Sequence, residues 1–169
     1  KEAKSDSAFS GELKVVSWAA NNKAKACSDL GDPTEHKNTY DATITANNIP
    51  FVLGGDPKDP KSGLKISKLL LGFSVKGGTP IGIFGGINTT GDLKVAEFKL
   101  RNINFAFGAG IEEAYLGARA QAIFQSFNCE VAFFAGKTCN LDPIRFVDPE
   151  VAKYIPPPPA GSPFTGAYV

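Results

Sequence analysis

Three stretches of this chain repeat one pattern, and the pattern admits few backbones. Ser10-Gly11-Glu12-Leu13-Lys14-Val15, Ser62-Gly63-Leu64-Lys65-Ile66 and Thr90-Gly91-Asp92-Leu93-Lys94-Val95 each place a small hydroxyl residue and a glycine ahead of Leu-Lys-(Val/Ile). Apolar residues then return five and seven places after the leucine: Trp18 and Ala20, Leu69 and Leu71, Phe98 and Leu100. A turn feeding a strand explains the first half of the pattern, because alternate residues of a strand share one side. The slip from +2 to +5 reads as one inserted residue, since a single extra residue sends every later side chain to the other face. Each copy is therefore expected to be a strand carrying a β-bulge.

The rest of the chain extends this reading. Tyr40, Ala42, Ile44 and Ala46 alternate with Thr39, Asp41, Thr43 and Thr45, the signature of a half-buried strand. Pro50-Phe51-Val52-Leu53-Gly54-Gly55 has a later counterpart in Pro80-Ile81-Gly82-Ile83-Phe84-Gly85-Gly86, so residues 50–78 and 80–110 read as two copies of a hairpin-sized unit. Residues 111–126 are rich in helix formers. Yet Ala114, Leu116, Ala118, Ala120, Ala122 and Phe124 occupy every even position, which favours strand. The phase switches near 125–127, where a bend or bulge is expected, and a turn is expected at Ala135-Gly136-Lys137. Asp32-Pro33-Thr34-Glu35 and Asp148–Lys153 each offer an aspartate cap followed by proline, enough for a short helical turn. The expected fold is all-β, an antiparallel sandwich or barrel of repeated bulged hairpins with one or two short helical turns. Residues 1–155 form its single domain, a size that supports a substantial core. Residues 156–169, opening on Pro156 to Pro159, form an extended tail, whose residues 163–169 resemble the start of another strand that either docks on the domain or begins a next module.

Charge and chemistry narrow the function by exclusion. With 18 Lys plus Arg against 17 Asp plus Glu, no net field gathers nucleic acid or acidic lipid. The densest basic grouping, Lys58, Lys61, Lys65 and Lys68, surrounds a Pro/Gly-rich loop and reads as solvated. His36 is the only histidine and sits in a polar loop, so no nucleophile–base pair is legible. Asp29/Asp32 and Asp56/Asp59 could offer oxygens to calcium. Asx turns account for the same residues more simply. Glu112 and Glu113 are adjacent and would face opposite sides of a strand, which argues against a paired-carboxylate site. Arg101 and Arg119 interrupt apolar strands. Each either pairs with Glu97, Glu113 or Glu130, or anchors a ligand carboxylate.

No catalytic residue, cofactor or metal is assigned. The three cysteines, Cys27, Cys129 and Cys139, lack metal-ligand spacing and allow either one disulfide of undetermined pairing with one leftover thiol or a fully reduced set. Asn88-Thr89-Thr90 is a glycosylation sequon expected in a turn. Methionine is absent even at position 1, so the chain reads as processed or excised from something longer. No apolar run reaches the roughly 18 residues of a membrane helix. A membrane-spanning barrel would share the strand alternation, but the polar loops and the Pro-rich terminus speak against it. The function expected is a non-enzymatic structural or interaction module of a larger extracytoplasmic protein. It would self-associate or bind protein partners through sheet edges and the C-terminal tail, with Phe164, Tyr168 and Val169 at the contact. The alternative is a small β-barrel carrying an apolar, lipid-like ligand.

Overall fold

The computed structural model describes residues 8–17, 38–56, 58–59, 62–111, 113–139, 141–153 and 164–168. Their strands are β1 (Ser10–Ser17), β2 (Thr39–Asn47), β3 (Val52–Leu53), β4 (Gly63–Lys76), β5 (Thr79–Val95), β6 (Phe98–Gly110), β7 (Ala114–Phe124), β8 (Phe127–Thr138) and β9 (Phe164–Tyr168). All pair antiparallel in one sheet of order β1-β2-β4-β5-β6-β7-β8-β9, with β3 set against β4. The all-β antiparallel expectation holds. The sheet is not closed, and the layer packed on it is a helix, α1 (Asp142–Val147), followed by a 3-10 turn at Val151–Lys153.

The three copies of the repeated pattern take three different backbones. In β4 the slip is the expected bulge, between Ile66 and Lys68. In the Thr90 copy it is a hairpin turn at Ala96-Glu97, because Val95 and Phe98 pair with each other across it. In the Ser10 copy β1 runs in regular register from Ser10 to Ser17, and Trp18 and Ala20 lie outside the described residues. A bulge and a two-residue turn both shift side-chain phase, so the pattern alone cannot separate them. The two hairpin-sized units are also unequal: β3 pairs with β4 over two residues only, whereas β5 and β6 pair over most of their length.

Register across the strands sorts the side chains into two unlike faces. One row runs Leu13–Ile44–Leu71–Gly85–Phe107–Leu116–Ala135 through seven strands. The next row on that face is Gly11–Ala46–Leu69–Ile87–Phe105–Ala118–Phe133. Neither row contains a polar side chain. On the opposite face, Ser10–Asn47–Lys68–Asn88–Asn104–Arg119 are successive partners, a polar row. Two rows further along the same face runs Gly72–Phe84–Gly108–Tyr115–Gly136, glycine and aromatic in strict alternation. The glycines make room: a Cβ at Gly72 would strike the Phe84 ring, and one at Gly108 would strike Tyr115. Large rings and empty positions thus interlock across strands, as close packing requires.

The core forms where α1 closes over this second face. Leu141, Ile144 and Val147 recur every third residue, the spacing of one helix stripe, and all three are buried against Phe134, Tyr115 and Ala106. Asp142-Pro143 starts the helix, with the proline ring presetting φ in the first turn. Of the two helical turns expected from the sequence, the one at Asp32–Glu35 lies outside the described residues and the one at 148–153 is the 3-10 turn; α1 was not expected, and the apolar spacing from Leu141 is its signal. The expected turn at Ala135-Gly136-Lys137 does not occur. β8 continues through it to Thr138, and Gly136 (φ 135°) lets the backbone approach Tyr115 where any side chain would collide. The bend expected near 125–127 is the Gln125-Ser126 turn joining β7 and β8. Residues 164–168, in the part of the tail that resembles the start of a strand, pair with β8 from Phe134↔Tyr168 to Thr138↔Phe164 and form the last strand of the described sheet.

Candidate interaction surfaces of the sheet

The polar row is a cradle for the end of α1. A helix leaves its last carbonyls without intrahelical partners. Here Asn88 Nδ2 donates to the Phe146 carbonyl and Asn104 Nδ2 to the Val147 carbonyl, each at 3.2 Å. Next in the row, Arg119 Nη1 meets Asp148 Oδ1 at 3.2 Å and the same guanidinium binds Glu130. At the other end, Lys68 Nζ stands 5.5 Å from the centre of the Phe146 ring, within cation–π range. Four adjacent strands therefore hold three consecutive residues, Phe146 to Asp148. Asp148 in turn starts the 3-10 turn: its Oδ1 accepts from Glu150 N at 3.2 Å and its carbonyl from Ala152 N at 3.1 Å.

Both arginines offered as ligand anchors hold carboxylates of their own chain. Arg119 pairs with Glu130, one of the partners the sequence suggested, and also with Asp148. Arg101 pairs with Asp92, its cross-strand neighbour, through two bonds of 2.6 and 2.8 Å. This fork-to-carboxylate geometry fixes the hairpin between β5 and β6 just beyond its register shift. Glu113, another suggested partner, is buried instead against the end of β8, accepting from Thr138 Oγ1 at 2.9 Å and Cys139 N at 3.0 Å. Beside the helix cradle lies an open cavity of about 350 Å³ lined by Ser67, Asn88, Thr89, Asn102, Asn104, Arg119 and Glu130. Its groups are largely spent on structure. Ser67 donates to the Asn88 carbonyl, and Thr89 Oγ1 exchanges hydrogen bonds with the Ile103 backbone.

Three further sequence features find a place. Asp56 Oδ1 accepts from Lys58 N at 2.9 Å, an Asx turn, and Ser62 closes the same loop on Asp59. Among the described residues no group of three potential ligands could hold a metal ion. Asn88 of the sequon lies inside β5, not in a turn, with its amide engaged by the Phe146 carbonyl, so the position is structural. Cys129 is a free thiol on the apolar face, which removes it from any bridge with Cys139; Cys139 is fully buried, and Cys27 lies outside the described residues. Iodoacetamide applied to the native protein is expected to modify Cys129 and spare Cys139, read by peptide mass mapping. Cys139 is disulfide-bonded, so its labelling in the absence of reductant would mean that this bond is not formed.

The surface that packing leaves unexplained is the apolar face. Leu13 is 71 % exposed, Ile44 53 % and Val131 50 %, and they belong to a continuous field and not to scattered positions. Water-soluble monomers rarely expose contiguous apolar patches beyond about 300–600 Å². At the end of the face bearing the Ala96-Glu97 and Gln125-Ser126 turns stand Phe98, Phe124 and Phe127, with the first two rings 4.8 Å apart. Tyr40 marks the opposite end. No known protein family matches the chain, and neither a curated protein nor a solved structure matches it.

Proposed function

We propose that the chain is a non-enzymatic structural module, a section of β-sheet wall that associates with neighbours through its sheet edges in an extracytoplasmic assembly. The observation that carries this reading is the open sheet, which among the described residues ends in β1 on one side and in β9 on the other. An outer strand presents a row of backbone N–H and C=O groups that a further strand can pair. The tail residues Phe164 and Tyr168 belong to that edge strand, so the segment expected to make contacts is itself part of the sheet. The polar side chains Arg119, Asn88 and Asn104 are committed to the helix cradle, which supports a structural role for them. With Cys129 free, Cys27 and Cys139 are the one intramolecular pair left, and a bridge between them would suit an oxidising compartment. The carrier of an apolar ligand is the weaker reading, because the cavity beside α1 is lined by polar groups.

The test is truncation ahead of Phe164, which removes β9. The shortened chain is expected to keep its β-sheet circular dichroism and to lose its larger oligomers in light scattering. An unchanged oligomer size, or a full-length chain that is monomeric throughout, overturns the reading.

A further inference from the structure

The geometry points to lipid hydrocarbon as the partner of the apolar face: the sheet is a segment of membrane-spanning β-wall, lipid on one side and the helix-filled, polar side inward. The inference rests on the reading of the chain as a wall element, but not on which strands join its edges.

Four observations carry it. First, the apolar face is free of charge across the sheet. From β1 to β8, positions in register with Leu13, Leu71, Phe107 and Leu116 carry no Asp, Glu, Lys or Arg until Lys137, near the end of β8. Second, the opposite face carries the polar row and the core covered by α1, so the non-strand backbone lies on the side where protein and water can satisfy it. Third, the dimensions fit. The 11 residues of β7, at about 3.3 Å each, extend roughly 36 Å; a strand tilt of about 40° brings the span to roughly 28 Å. Bilayer hydrocarbon is about 30 Å thick, and the apolar band of membrane barrels about 25 Å tall. Fourth, aromatic rings stand at both ends of the field, Phe98, Phe124 and Phe127 at one and Tyr40 at the other, where membrane barrels carry their girdles.

A second copy of this chain laid face to face is the competing occupant. Protein–protein interfaces carry about one hydrogen bond per 100–200 Å², and the two central rows have no polar side chain to form one. Lipid requires none. No helix among the described residues is long and apolar enough to cross a membrane, so any crossing is made by strands. The polar loops and the Pro-rich segment counted against this in the sequence, but the apolar band is made by the strands themselves.

The experiment dilutes the full chain from urea into dilauroyl phosphatidylcholine vesicles and follows flotation and protease protection. The wild-type chain is expected to float with the vesicles and to yield protected strand fragments. Ala120→Lys, in mid-β7 on the apolar face, is expected to lower the vesicle-bound to free ratio at least tenfold. Gln121→Lys, its neighbour on the polar face, should leave that ratio within twofold. Leu13→Lys in β1, remote from the core under α1, repeats the test should Ala120→Lys fail to fold. A folded wild-type chain that stays out of the vesicles overturns the inference, as do equal effects from the two β7 variants. So does a lipid-free dimer that Ala120→Lys dissociates, which would assign the face to a second copy. Truncation of β9 separates the two proposals: flotation that persists where edge-to-edge oligomers never form would sink the edge reading and leave this one standing.

Discussion

Phe134→Ala is expected to lower the unfolding free energy by roughly 3–5 kcal/mol, the range for removing a fully buried phenylalanine. The ring has no solvent exposure and packs 5.7 Å from Tyr115. It fills the space left by Gly117, where a Cβ would come within 2.9 Å of it and 3.1 Å of Val147. Removing it takes the floor from under Ile144 and Val147, so the cavity cannot be closed by a small shift of one neighbour. Urea titration should show a lower midpoint with a similar slope. Val131→Ala is the control. Val131 lies two residues along the same strand from Phe133 on the apolar face and is half exposed, so its loss should be much smaller in aqueous denaturant. Equal losses at the two positions would mean that the helix-covered face is not the core.

Arg119→Met is the second large expectation, a loss of about 1–3 kcal/mol, with the Glu130 contact discounted because that partner is half exposed. The rest comes from Asp148, whose side chain is only 6 % exposed and which loses a charged partner where water is scarce. Methionine keeps much of the arginine stem's volume, so the change reads the charge and not a void. The damage should be local, with faster amide exchange at Asp148, whose N–H bonds the Ile144 carbonyl at 2.7 Å, and at Ala152. Asp148→Asn should be milder, since an amide oxygen can still accept from Glu150 N. If exchange in 144–152 were unchanged in Arg119→Met, the polar row would not be what holds α1.

Much of the sheet was legible because strand periodicity is a local property. The even-position apolar residues from Ala114 to Phe124 specified β7 against a helix-prone composition, and the alternation from Tyr40 to Ala46 specified β2. Both patterns have period two, and one uncovered or covered face is all that such a pattern requires. The repeated Leu-Lys motif was less decisive, since a bulge in β4 and a hairpin turn after Val95 give the same shift of phase. Gly136 misled in a related way. Glycine marks a turn or a close backbone approach with equal ease, and only the neighbouring Tyr115 backbone shows which applies.

By itself, the sequence determined that this protein is a set of antiparallel strands with one apolar side, because alternation and turn residues act over a few neighbours. Tertiary structure alone decided which side would be covered and by what. The cradle of Lys68, Asn88, Asn104 and Arg119 draws one residue from each of four strands and becomes a row only through register. Its partners, Phe146 to Asp148, lie 29 to 78 residues away along the chain, from Asp148 above its nearest partner Arg119 to Phe146 above Lys68. Hydrogen bonds and ion pairs of that range leave no period in a sequence, since each depends on where whole strands are set. The same register that assembles the cradle aligns Leu13 with Leu116 across the other face, and so leaves an apolar surface that the chain's own described residues do not cover.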